Sequence, residues 1–164
     1  MIYLIGFMGV GKSTIAKQLA KQLNISFLDT DQKIEDQEKK SISNIFKING
    51  EIYFRKLETK LLYQLNNKQV IACGGGLPLF NNNMEYIKKT GVSIYLKASS
   101  DFLFSRLKNE KNRPLISKFD KHELQQFICD QLTEREKIYS KATYKISVDG
   151  KTNEEILGEI HSLI

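Results

Sequence analysis

Gly6-Phe7-Met8-Gly9-Val10-Gly11-Lys12-Ser13 is the stretch that decides the fold of this chain. It matches GxxxxGK[ST] in full, and its flanks are those the pattern requires: the apolar run Ile2–Ile5 before it and a helical pattern from about Lys12 after it. Each part has a physical task. Glycines let the backbone turn successive N–H groups inward. The helix N-terminus adds partial positive charge where phosphate would sit. Lys12 can reach β- and γ-phosphates, and the Ser13 hydroxyl can ligate Mg²⁺. A dinucleotide fingerprint fails at the same place, because Gly9-Val10-Gly11-Lys12-Ser13-Thr14 lacks the third glycine. A nucleoside triphosphate is therefore the expected ligand, and phosphoryl transfer, hydrolysis-driven work and switching all stay open. A switch GTPase needs DxxG and NKxD, and neither string occurs. The length leaves little room for a helicase or motor, so a small-molecule kinase is the economical reading.

The chain has 164 residues, which fits one domain over 1–164. Hydrophobic residues at 41% and charged residues at 27% exclude disorder as a description of the whole. No stretch approaches the roughly 20 apolar residues of a membrane span, and Met1–Ile5 is too short for a signal peptide. The net charge of +6 fits either a nucleic-acid surface or a site for small polyanions. The basic residues are spread out. The densest stretch, Arg106 to Lys121, holds six of them against Glu110 and Asp120. Cys73 and Cys129 have no metal spacing; one disulfide is conceivable, but two free thiols fit a reducing cytoplasm better. His122 and His161 lack a triad or metal context.

Apolar runs at Ile2–Ile5, Ser26–Leu28, Val70–Ala72, Val92–Leu96 and Tyr144–Val148 predict five strands. Between them, Ile15, Leu19 and Leu23, then Leu57, Leu61 and Leu65, then Leu124, Ile128 and Leu132 make helical stripes. Thr152 with Glu155 predicts a capping box on the last helix. Alternating strands and helices imply right-handed βαβ units and a parallel sheet flanked by helices. Arg113-Pro114 breaks the helical pattern, so 109–120 reads as a loop, either ordinary or a lid over a ligand.

Ligands of such sheets collect at the carboxyl ends of the strands. Asp29-Thr30-Asp31 falls there after the second strand and Gly74-Gly75-Gly76 after the third. One carboxylate can support Mg²⁺ through water and the other can hold or deprotonate an acceptor hydroxyl. The plainer alternative is that both merely cap the next helix. Three glycines let a ligand approach the backbone, or make a simple turn. Arg135 lies on the apolar stripe of the helix Lys121–Lys141. Arg55 can pair with Glu58 at i+3. Together the two guanidiniums suit a carboxylate.

The ordered set GFMGVGKST (Gly6–Thr14), LDTD (Leu28–Asp31), SISNIF (Ser41–Phe46), FRKLE (Phe54–Glu58), GGG (Gly74–Gly76), NRPL (Asn112–Leu115) and RxxxY (Arg135–Tyr139) resembles shikimate kinase, over Ile2 to about Asp149. The resemblance implies a three-layer P-loop kinase fold with strand order 2-3-1-4-5, shikimate-binding helices over about 31–62 and a lid over about 109–120. It implies transfer of the ATP γ-phosphate to the 3-hydroxyl of shikimate. Shikimate would be held by Asp31, Arg55, Gly75 and Arg135, with Gly74 and Gly76 beside it and Phe46 and Phe54 on the apolar side, or as plain core. Arg55 and Arg135 would take the carboxylate, Glu58 would orient Arg55, and Asp31 is the candidate base. Gly9, Val10, Gly11, Lys12, Ser13, Thr14, Arg106 and Arg113 would bind nucleotide. Ser13 and Asp29 would hold Mg²⁺. The catalytic set implied is Asp31, Lys12 and Arg113. The adenine loop departs from the family's usual threonine-and-proline pattern: it reads Val148-Asp149-Gly150-Lys151-Thr152-Asn153-Glu154, with Lys151 the candidate contact. A monomer, with no nucleic acid or membrane as partner, is the default expectation. Two alternatives are a P-loop kinase for another polyol acid such as gluconate, and a nucleic-acid-associated NTPase.

Overall fold

Five strands, β1 (Ile2–Ile5), β2 (Ser26–Asp29), β3 (Gln69–Ala72), β4 (Val92–Lys97) and β5 (Tyr144–Ser147), pair in parallel in the order β2-β3-β1-β4-β5. The structure, a computed structural model, describes residues 1–110, 116 and 119–164. The order is the one the resemblance implies. Each strand after β1 differs from its sequence-based limits by one residue at an end. β1 sits at the centre, with Ile2 in register with Val70 on one side and Val92 on the other. The chain leaves β1 toward β2 and later returns to β4 on the opposite side, so the crevice for ligands opens at the end of β1.

Alternation along the strands sorts side chains to two faces. Leu4, Val70, Ala72, Ile94 and Leu96 pack with Ile15 and Leu19 of α1 (Lys12–Gln22). The same cluster takes in Leu103 and Leu107 of α6 (Ser100–Leu107), Leu124 and Ile128 of α7 (Lys121–Tyr139), and Ile156, Leu157 and Ile160 of α8 (Asn153–Leu163). On the other face Tyr3, Ile5, Ile71 and Tyr95 meet Leu62 of α4 (Glu51–Gln64), Met84 and Ile87 of α5 (Asn83–Thr90), and Tyr139. A third, small cluster of Ile34, Ile45, Phe54 and Leu61 joins α2 (Thr30–Glu38), α3 (Ile42–Asn49) and α4. Those three helices thus carry an apolar core of their own beside the sheet.

The Thr152–Glu155 capping box forms as expected, and Asp120 with Glu123 makes a second one at the start of α7. α7 ends at Tyr139, two residues before its sequence-based limit, because the N–H groups of Lys141 and Ala142 turn back to Ile138 and Tyr139. Cys73 and Cys129 are free thiols. Burial pushes the Cys73 thiol far up, so it behaves as a small hydrophobe. Among the described residues no helix is long and apolar enough to cross a membrane.

Candidate active site

The loop between β1 and α1 uses its glycines where only glycine fits. Gly9 and Gly11 stand at φ +81° and +102°, and a Cβ on Gly9 would press within 2.9 Å of the Leu107 side chain. The Lys12 side chain is nearly buried and folds over the loop, donating from Nζ to the carbonyls of Gly6 (3.0 Å) and Phe7 (2.9 Å). Arg106, on α6, donates from Nη1 to the Gly9 carbonyl at 3.2 Å and lies over the Phe102 ring. A cavity of about 610 Å³ is lined by Gly9, Gly11, Lys12, Ser13, Thr14, Asp29, Asp31, Gly75 and Arg106, among others. Val10, the remaining loop residue of the expected nucleotide set, is instead buried in the core at 3% exposure.

The capping reading of Asp29 holds for one oxygen, and the other faces Ser13. Oδ1 accepts from the backbone N–H of Asp31 (3.0 Å) and Gln32 (3.3 Å), capping α2. Oδ2 accepts from the Ser13 hydroxyl at 2.5 Å. Asp31 sits in the first turn of α2 and does not cap it; it faces the cavity. The buried Thr30 between them accepts at Oγ1 from the Gly74 N–H (2.8 Å), tying the end of β2 to the triple glycine.

A second cavity, about 400 Å³, opens against α2, α3 and α4 and is lined by Asp31, Phe46, Phe54, Arg55, Glu58, Gly75, Gly76 and Arg135, among others. Phe46 and Phe54 meet edge to face at 5.0 Å beneath the Arg55 guanidinium. Phe54, at 2% exposure, is core and wall at once. Arg55 Nη1 donates to Glu58 at 2.7 Å, the i+3 pairing expected. Glu58 is fully buried, and burial lifts its carboxyl to about 7 even though Arg55 pulls it down. Burial also works against the Arg55 charge, yet Glu58 and Glu51 hold its pKa above the ordinary value.

Arg135 lies over the Phe7 ring at 5.1 Å. Tyr139 donates its hydroxyl proton to the Gly75 carbonyl at 2.5 Å and pins the middle glycine. The glycines are needed for space: a Cβ on Gly76 would fall into the Arg55 guanidinium, and one on Gly74 would strike Asp31 and Glu58. Of the expected site residues the structure describes, Val10 and Gly74 line neither cavity: the Val10 side chain turns into the core between Gly9 and Gly11, and Gly74 lies against Asp31 and Glu58. Arg113 and most of the lid (111–115, 117 and 118) lie outside the described residues.

Sequence reasoning passed over several residues. Met8, Glu35 and Glu110 line both cavities, and Ser41 and Ser43 line the second. Glu35 also accepts from the Ile42 N–H at 2.8 Å, holding the turn into α3. Thr30 was signalled only by its place between two aspartates. The divergent loop after β5 is built for structure: Asp149 accepts from the Ser99 N–H, and Lys151 pairs with Glu159 at 2.6 Å.

The family model of shikimate kinase matches residues 8–164. A shikimate kinase of Flavobacterium johnsoniae is 43% identical over 99% of this chain and 98% of its own length. The crystal structure of the shikimate kinase from Bacteroides thetaiotaomicron superposes with a TM-score of 0.92 at 35% identity, covering 99% of this chain and 96% of that one. The Acinetobacter baumannii shikimate kinase, in complex with shikimate, gives 0.90 at 34% identity, over 99% and 90%. A gluconokinase from Sinorhizobium meliloti shares the fold alone, with a TM-score of 0.57 and 15% identity over 96% of this chain and 87% of that one. With the motifs among its described residues assembled around two adjoining cavities and its full length matched by these relatives, the chain belongs to the shikimate kinase family of ATP-dependent kinases.

Proposed function

We propose that this chain divides the shikimate kinase reaction between its two cavities, with ATP along the phosphate loop and shikimate against α2–α4 and α7. The reaction moves the γ-phosphoryl of ATP to the 3-hydroxyl of shikimate, giving shikimate 3-phosphate and ADP, on the route to chorismate and the aromatic amino acids. The observation that carries the division is the shared wall: Asp31 and Gly75 line both cavities, so an acceptor hydroxyl in one faces a phosphoryl group in the other across Asp31.

The P–O bond to the β-phosphate breaks as the 3-hydroxyl oxygen bonds to phosphorus, and Asp31 accepts the hydroxyl proton. The loop N–H groups, Lys12 and Arg106 take up phosphate charge, and Arg113 adds to this from the lid over about 109–120. Arg55 and Arg135 hold the shikimate carboxylate while Phe46 and Phe54 back the ring. Ser13 Oγ and Asp29 Oδ2, two hard oxygens in direct contact beside the loop, fit a Mg²⁺ ion that keeps several waters. When bound, that ion would neutralise charge on the β- and γ-oxygens. One chain over 1–164 supplies every residue used here, so a monomer suffices, and the two free thiols support a cytoplasmic setting.

The test is ADP release from Mg·ATP with shikimate, gluconate and quinate run in parallel. Strong stimulation by shikimate alone is expected. ATP binding without stimulation by shikimate would overturn the acceptor assignment.

A further inference from the structure

Both arginines of the acceptor cavity are held in the same way by a side chain four residues earlier on the same helix. On α4, Arg55 donates from Nε (3.1 Å) and Nη2 (2.8 Å) to one oxygen, Glu51 Oε1. On α7, Arg135 donates from Nε (3.1 Å) and Nη2 (2.7 Å) to one oxygen, Gln131 Oε1. The opposite ends of the two guanidiniums converge on adjacent glycines. Arg55 Nη1 occupies the space a Cβ on Gly76 would take, and Arg135 Nη1 lies 3.5 Å from the Cβ position of Gly75. A guanidinium has five N–H donors in a rigid plane, so an oxygen fixed on the Nε/Nη2 edge sets where the remaining donors point.

We propose that Glu51 and Gln131 are positioning residues that aim Arg55 and Arg135 at a single carboxylate above Gly75–Gly76. The inference rests on the reading of this cavity as the shikimate site and names two residues which that reading does not use. The two latches differ in charge. Gln131 leaves the Arg135 charge whole, whereas Glu51 offsets part of the Arg55 charge, together with Glu58. What Glu51 contributes is its oxygen; its charge opposes the arriving anion. Its side chain is 59% exposed, so removing it leaves the core intact.

Steady-state kinetics of E51A, E51Q and Q131A decide the matter. E51A and Q131A are each expected to raise the KM for shikimate about tenfold, with kcat and the KM for ATP within about twofold of wild type. E51Q keeps the oxygen and drops the charge, so its KM should return to the wild-type value or below. With shikimate methyl ester, which carries no carboxylate, the penalty of E51A and Q131A should vanish. Three results would each overturn the latch: an unchanged shikimate KM in both alanine variants, an E51Q as impaired as E51A, or an undiminished penalty with the ester. A wild type that ignores shikimate overturns the acceptor assignment itself, which separates the two failures.

Discussion

The two cavities meet at Asp31, yet they are built by opposite strategies. The side proposed for nucleotide is anchored on one contiguous stretch, residues 8–14, with glycines at positive φ and a helix N-terminus behind them. The side proposed for the acceptor is made chiefly of side chains from α2, α3, α4 and α7, set over the glycines of the turn after β3. A phosphate needs many similar donors around a compact charge, and a short loop supplies them. An acceptor must be told from its analogues, and that takes distinct groups at fixed separations. The acceptor helices accordingly have their own small core, in which Phe54 is at once buried and part of the wall.

That contrast can be broken where the cavities join. Asp31→Asn should lower kcat by about 10²–10⁴-fold while ATP binding, followed by calorimetry, survives. Unchanged kcat would remove Asp31 from the chemistry. Lys12→Met should cost about 10²–10³-fold in turnover and leave shikimate binding intact, which calorimetry without nucleotide checks. Loss of shikimate binding in that variant would mean the two sides are not separable. On the acceptor side, Gly76→Ala should raise the shikimate KM at least about tenfold, since its Cβ displaces the Arg55 guanidinium, and should spare the KM for ATP.

Smaller effects test the surroundings. Glu58 binds its proton more tightly when folded, with its pKa raised from 4.5 to about 7 by burial. Between those values the folded chain holds more proton than the unfolded one, so this group's contribution to stability is full below about pH 4.5 and is lost as pH rises through 7. Thermal melts from pH 5 to 7.5 should show a steeper decline for wild type than for Glu58→Gln; parallel curves would mean Glu58 stays ionised. Least of all, Thr152→Ala should lose about 1 kcal/mol of stability with the loss of the α8 cap and leave kinetics unaltered. A change in the KM for ATP there would tie the loop after β5 to the nucleotide.

Much of this was legible in the chain. Five strands, the stripes of α1, α4 and α7, the phosphate loop and the α8 cap all follow from local pattern. The short helices α5 and α6 and the turn at Leu77–Leu79 offered no comparable periodicity. Within the site, Asp29 shows where sequence runs out: a capping aspartate and an aspartate beside Ser13 look alike on paper, and here one carboxylate does both with separate oxygens. Arg55 was read with Glu58 at i+3, whereas its partner at i−4, Glu51, went unremarked, as did Gln131 before Arg135, because such spacings are common on any helix surface.

By itself, then, the sequence determined the features that depend on near neighbours: the strand–loop–helix at Gly6–Ser13, the parallel alternation and the helix caps. Backbone conformation and hydrophobic period act over a few residues, so they can be read from a few residues. Only the tertiary structure decided that Asp31 stands between two cavities, that Tyr139 pins Gly75, and that Arg55 and Arg135 converge over adjacent glycines. Those relations join residues far apart in the chain, Gly75 and Tyr139 being 64 positions apart. They exist because the sheet order brings the ends of β2 and β3 together and because α7 lays its C-terminal turn against them.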